Sequence, residues 1–231
     1  MTAHALTDRV GRAARSLSRH GVRGTASRVH EWIVLPALQR IYLVQSHVWL
    51  GVPLNADPPP MLEGYALRRG DESDLPALAA IGGISPETGR RYLASGAELY
   101  VARQGDDLAF SAWIHPDRVP FVAAAGGMLE MPATMVALED SIAAPAHRRS
   151  GIAVHALDHI TAIQHRNGVT DILTRVAEDN VAARRWLQKM GTKELAVTRL
   201  RKIGPWKRTT VQTLPGGEQA AALLARQVGA S

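Results

Sequence analysis

The chain has 231 residues, 46% of them apolar, which is enough for one ample domain or a domain with an extension and excludes global disorder. It contains no cysteine, so disulfides, a catalytic thiol and cysteine-ligated metal are excluded. A formal charge of +6 favours anionic partners: nucleic acid, anionic lipid or a phosphorylated cofactor. No stretch reaches the roughly 18 apolar residues of a membrane span. The best candidate, residues 41–54, is broken by Gln45, Ser46 and His47. The N-terminus lacks the apolar core of a secretory signal, although its Arg- and Ser-rich start also fits an organellar transit peptide.

Residues 1–60 read as a helical arm ending in a linker. Leu6, Val10, Ala13 and Leu17 share one helical face, and Arg9, Arg12, Arg15 and Arg19 the opposite one. After Gly21 and Gly24, a second helix is expected over 26–50, kinked at Pro36, before the stiff run Asp57-Pro58-Pro59-Pro60. Such an arm packs its apolar face on the domain or on a second subunit as a homodimer. Alternatively it rests as a basic amphipathic helix on an anionic membrane. A strand is expected over 64–68, then a helix capped by Asp71 or Ser73 and closed by Gly82-Gly83, and another over 86–94. Residues 98–103 and 108–114 read as a hairpin turning at Gly105-Asp106-Asp107. Next come a strand over 134–142, a helix over 152–167, a strand over 170–176 and a helix opened by Asn180. Two closing strands, 194–203 and 207–213, flank Gly204-Pro205, and an Ala-rich tail ends the chain as a helix or frayed.

The run Arg148-Arg149-Ser150-Gly151-Ile152-Ala153 lies where the strand over 134–142 gives way to a helix. Free backbone N–H groups at a helix start, together with the helix dipole, bind anions. Gly151 lets the backbone approach a phosphate, and Arg148 and Arg149 add charge-assisted hydrogen bonds. This points to a phosphate ligand.

The segment 135–153 resembles motif A of the GNAT superfamily of acyl-CoA-dependent N-acyltransferases. The stretch 180–191, from Asn180 to Gly191, resembles that family's motif B. The two lie in family order and spacing, and the resemblance covers 61–213. It implies an α/β (α+β) GNAT fold: a mixed, mostly antiparallel central sheet flanked by helices, here with an N-terminal helical extension. The implied domains are an arm and linker over 1–60, the acyltransferase domain over 61–213 and a tail over 214–231. It further implies transfer of an acyl group from acetyl-CoA, or another acyl-CoA, to a primary amine on a small molecule or protein.

The residues that carry these roles follow from the match. Arg148, Arg149, Ser150, Gly151, Ile152 and Ala153 would hold the pyrophosphate. Backbone N–H groups of Ile142, Ala143 and Ala144 would polarise the thioester carbonyl, and Asn180 would contact the pantetheine arm. Glu139, on the phosphate-loop strand, is the candidate general base; strand alternation makes Asp140 point away from it. The other reading of Glu139 is a strand-end carboxylate in a salt bridge. The tyrosine that family members place in the motif B helix as general acid is Leu187 here, and Tyr92 and Tyr100 are not assignable by motif. His155 and His159 stand at i, i+4, but the pattern of a zinc protease is absent and no metal is expected. No aromatic-basic patch supports a nucleic-acid partner. The expected location is cytoplasmic, with peripheral membrane contact through residues 1–50 on the second reading of the arm. The rival functions are a membrane-associated long-chain or cell-envelope acyltransferase and a non-catalytic acyl-CoA-binding module.

Overall fold

The computed structural model describes residues 42–228; the expected arm up to residue 41, with its arginine face, lies outside the described residues. The chain divides into two compact units. The smaller holds 42–45 and Leu200–Arg208, and the larger holds Ser46–Arg199 and the chain from Thr209 onward.

Ten strands and five α-helices are described. The strands are β1 (Tyr42–Val52), β2 (Tyr65–Arg69), β3 (Glu98–Gln104), β4 (Asp107–His115), β5 (Arg118–Pro120), β6 (Met128–Glu130), β7 (Met135–Ala143), β8 (Asp171–Ala177), β9 (Lys193–Ile203) and β10 (Trp206–Thr213). The helices are α1 (Leu75–Ala80), α2 (Pro86–Ala94), α3 (Ile152–Arg166), α4 (Val181–Lys189) and α5 (Glu218–Gln227). Eight strands form one sheet in the order β10-β9-β1-β8-β7-β4-β3-β2, and β5 with β6 forms a small ribbon. The β2–β3, β3–β4, β4–β7 and β1–β8 pairs are antiparallel, and β7–β8 is parallel. This is the mixed, mostly antiparallel α/β sheet expected.

Residues 42–50 correct the expected second helix: they are strand. Val48, Trp49 and Leu50 are all buried in succession because β1 lies inside the sheet, beside β8. A strand covered on both faces shows an unbroken apolar run rather than alternation, and periodicity cannot separate that from a buried helix. The sheet therefore begins before the proline linker. The tail is the helix α5, tied to β6 by Gln227, whose side-chain amide pairs with the backbone N–H and C=O of Glu130.

Alternation along β3 shows the two faces. Leu99 and Val101 pack with Leu75, Leu78 and Trp113 under α1 and α2. Tyr100 and Ala102 pack with Ile152, Ala156, Leu157 and Ile160 of α3. The linker runs along α3 toward its N-terminus. The Asn55 N–H reaches Thr161, His159 donates to the Pro59 carbonyl at 2.8 Å, and His155 donates to the Pro60 carbonyl at 3.1 Å. Carbonyls only accept, so each histidine carries its proton on that nitrogen. The i, i+4 histidines fasten a stiff segment, and among the described residues no cluster suits a metal.

At Gly217, before α5, a Cβ would stand 1.8 Å from the Leu195 carbonyl oxygen. Backbone cannot yield cheaply there, so Gly217→Ala should cost about 2–3 kcal/mol. In thermal denaturation that is a fall in Tm of roughly 5–10 °C; an unchanged Tm would contradict this packing.

Candidate active site

Strands β7 and β8 pair only from Met135↔Asp171 to Leu138↔Thr174. Beyond that point β7 stays with β4, through Trp113↔Glu139, Ser111↔Ile142 and Phe110↔Ala143, while β8 stays with β1, through Trp49↔Arg175 and His47↔Ala177. The two strands part and leave a cleft whose walls are backbone edges.

Hydrogen-bond alternation fixes what those edges present. The Ala144 N–H donates to the Ala109 carbonyl at 2.9 Å. Ile142, two residues earlier, therefore also faces β4, and only the Ala143 N–H, of the three expected, faces the cleft. On the other wall the Glu178 N–H donates to the Ser46 carbonyl, so Arg175 and Ala177 turn their backbone groups away from β1, toward the cleft.

The turn after β7 leads straight into the start of α3. Pro145–His147 makes a short 3₁₀ turn, Arg149 and Gly151 adopt φ of 67° and 90°, and Gly151 is the N-cap residue of α3. The Ser150 hydroxyl donates to the His147 carbonyl and accepts from the Ile152 N–H. Arg148 lays its Nε 3.4 Å from the Ala143 carbonyl, on the cleft side, and Arg148, Arg149 and Ser150 are exposed. Tyr65 braces the turn through a 3.0 Å hydrogen bond with His147 Nδ1. A ligand phosphate reaching the start of α3 thus meets guanidinium groups and open backbone together. Asn180 does not reach toward this cleft by its acceptor atom: its Oδ1 caps α4, accepting from the Ala183 N–H at 3.1 Å.

Glu139 sits where the strands part, on the α1–α2 face. Arg175 Nε lies 3.1 Å from Oε1 and donates to Oε2 at 3.3 Å. Burial pushes the Glu139 carboxyl up to about 7, against the opposing pull of Arg175. The guanidinium is held independently: it donates to the Pro120 carbonyl and lies 5.1 Å from the Phe121 ring centroid and 5.5 Å from that of Trp49. Glu139 is thus a carboxylate in an ion pair, the salt-bridge reading of its sequence position, with its carboxyl held near 7.

Asp140 departs from the expected alternation. Ser111↔Ile142 and Trp113↔Glu139 leave one extra residue on β7, a bulge, and Asp140 takes φ 49° within it. Its Oδ2 accepts from the Tyr92 hydroxyl at 3.2 Å, and burial raises its carboxyl as well. The bulge thus brings a second carboxylate beside the first. Tyr92, which no motif revealed, packs edge-on against Trp113 and His115, and burial pushes its phenol up to about 12. Its nearness was signalled only by the fold, since α2 lies across β4. Tyr100 is elsewhere, buried against Gln164 and Glu98. Leu187 is buried against Val48, Leu50 and Val197, so α4 offers the site no hydroxyl at that position. A separate cavity of about 300 Å³, lined in part by Val52, Met135, Lys193 and Ala220, lies at the opposite end of β7 and contains none of these residues.

Residues 84–192 match the model of the Acetyltransferase (GNAT) family. The chain carries a GNAT domain, and acyl-CoA-dependent acetyl transfer is that family's activity. Among solved structures it is similar to a GCN5-related N-acetyltransferase from Sphaerobacter thermophilus, at 15% identity and a TM-score of 0.50 over 83% of this chain and 57% of that one. A Drosophila protein gives 15% identity and 0.50 over 79% and 58%. A GNAT-family protein from Novosphingobium aromaticivorans gives 16% identity and 0.48 over 74% and 66%. The chain thus spans less than two thirds of each of these proteins, and the likeness to the first two is one of fold. No curated protein matches the chain.

His115 is 1% exposed and pushed down to about 4, by burial and then by the Arg175 charge. Its folded pKa is lowered, so the unfolded chain takes up a proton that the folded one refuses, and stability is lost as pH falls from 6.5 toward 4. His115→Phe should abolish that loss, on the order of 1–3 kcal/mol relative to the parent between pH 7 and pH 4. Urea denaturation of both proteins at the two pH values checks it; a constant difference would reject it.

Proposed function

We propose that the chain is an N-acetyltransferase that moves the acetyl group of acetyl-CoA directly to a primary amine in the cleft between β7 and β8. The observation that carries this reading is the parting of those strands after Leu138 and Thr174, with the Ala143 N–H on one open edge. The pantetheine arm would lie along that edge, and the pyrophosphate on Arg148, Arg149 and the N–H groups of Ser150, Gly151, Ile152 and Ala153.

In this reading the amine nitrogen attacks the thioester carbonyl carbon while the oxygen takes up charge against the Ala143 N–H. The N–C bond forms, the C–S bond breaks, and the amine's proton passes to Glu139, directly or through one water. A base with a pKa about 7 suits that transfer at neutral pH. The thiolate is a stable leaving group, with a thiol pKa of about 8.5 in water, so its protonation needs no hydroxyl from α4. Asp140 and Glu139 together favour an incoming cation, and the amine must displace or share the Arg175 contact to reach the base.

Glu139→Gln should lower kcat/KM by roughly 10²–10⁴ while leaving CoA affinity nearly unchanged. The parent's kcat/KM should rise as pH passes about 7, where Glu139 becomes unprotonated, and flatten above. A parental rate in the variant would remove Glu139 as base. Gly151→Asp sets an anion at the start of α3 and should weaken CoA binding in calorimetry by more than about tenfold. Equal affinity would remove the turn from the cofactor site.

A further inference from the structure

The smaller unit, which the proposed acyl transfer does not use, carries the most exposed large apolar side chains among the described residues. Trp206 is 80% exposed, Ile203 59%, Tyr42 56% and Val44 51%. Gly204, at φ 56°, and Pro205 make the two-residue turn between β9 and β10. Such a turn sets Ile203 opposite Trp206, Lys202 opposite Lys207 and Arg201 opposite Arg208. By alternation Arg201, Ile203, Trp206 and Arg208 share one face, and all four are exposed, whereas Lys202 and Lys207 on the other face are half-buried.

Chemically, the exposed face is an apolar tip flanked by two guanidinium groups. No acidic residue occurs in Leu200–Arg208, and the cross-strand pair on the exposed face, Arg201 and Arg208, is cation against cation. Like charges placed opposite one another repel, and an anionic surface outside the tip relieves that repulsion. Tryptophan is the side chain that settles at a bilayer interface, and arginines beside it reach phosphates while their stems stay in apolar surroundings. Nucleic acid would account for the charges and for stacking on Trp206. It would not account for Ile203 at the turn, which has no ring to stack and favours hydrocarbon. No helix among the described residues is long and apolar enough to cross a membrane, so contact at this tip would be interfacial.

We propose that the β9–β10 turn is an interfacial anchor: Ile203 and Trp206 insert among the headgroups of an anionic membrane, and Arg201 and Arg208 pair with its phosphates. The full chain should sediment with vesicles of phosphatidylcholine and phosphatidylglycerol, and far less with phosphatidylcholine alone. Replacing both Ile203→Ser and Trp206→Ser should lower partitioning by at least about tenfold. Arg201→Gln with Arg208→Gln should lower it by about fivefold per charge at low salt. All these side chains are exposed, so Tm should hold in each variant, separating lost binding from lost folding. Equal sedimentation with neutral and mixed vesicles would overturn the proposal. So would undiminished binding by the serine variant, which would assign membrane contact to another part of the chain. Binding of single-stranded RNA that the serine variant loses, with no vesicle binding by the parent, would make this a nucleic-acid surface and also overturn it. Acetyl transfer in solution is independent of each of these outcomes.

Discussion

Everything specific about this site depends on where one parallel strand pair stops. From Leu138 and Thr174 onward β7 and β8 each keep a single neighbour, β4 for one and β1 for the other. A sheet that ends its pairing inside its own middle leaves backbone donors and acceptors turned toward empty space. Such groups are costly when buried and unmatched, so the opening must be either wet or occupied. An extended ligand with amide groups of its own satisfies them as a strand would. The same parting lifts Glu139 and Arg175 out of a continuous ladder and lets their side chains meet across the mouth.

The electrostatics of that mouth are a balance of opposed effects. Burial favours a neutral Glu139, Arg175 favours a charged one, and Asp140 sides with burial. Besides its contact with Glu139, the guanidinium is held by its bond to the Pro120 carbonyl and by the rings of Phe121 and Trp49. A buried ion pair with good geometry on one partner and imperfect geometry on the other is poor at adding stability, because desolvation offsets most of the attraction. It leaves a carboxylate whose proton affinity lies where small changes in surroundings alter its charge. Around the pair stand a left-handed aspartate, a buried histidine without well-formed ring hydrogen bonds and Tyr92, whose phenol stays neutral.

What the sequence made legible was local. The turn before α3 and the cap of α4 are short-range features, and Gly151 and Asn180 stand at the two helix starts the sequence marks. Strand β1 was illegible because its central place in the sheet removes the alternation by which strands are read. The convergence of Asp140 with Glu139 depends on one inserted residue, which shifts every side-chain direction after it without leaving a compositional trace. Which of three neighbouring N–H groups faces the cleft is likewise a matter of register. Tyr92 and Arg175 reach the site through packing between distant segments, and Leu187 makes sense only once Val48 and Leu50 are seen beneath it.

The position of β1 also bears on how the chain is made. It is the first described strand to leave the ribosome, yet it lies between β8 and β9, among the last to be made. Ser46 meets Glu178 across 132 residues of chain. Until that segment emerges, Val48, Trp49 and Leu50 have no sheet to enter, and closing so long a loop precedes any reward from the contacts it makes. The wait is a window for aggregation, with an apolar strand unpaired and two prospective edges still incomplete. Assembly of the cleft is therefore a late event: the wall formed by β8 acquires its outer neighbour only when segments far apart along the chain meet.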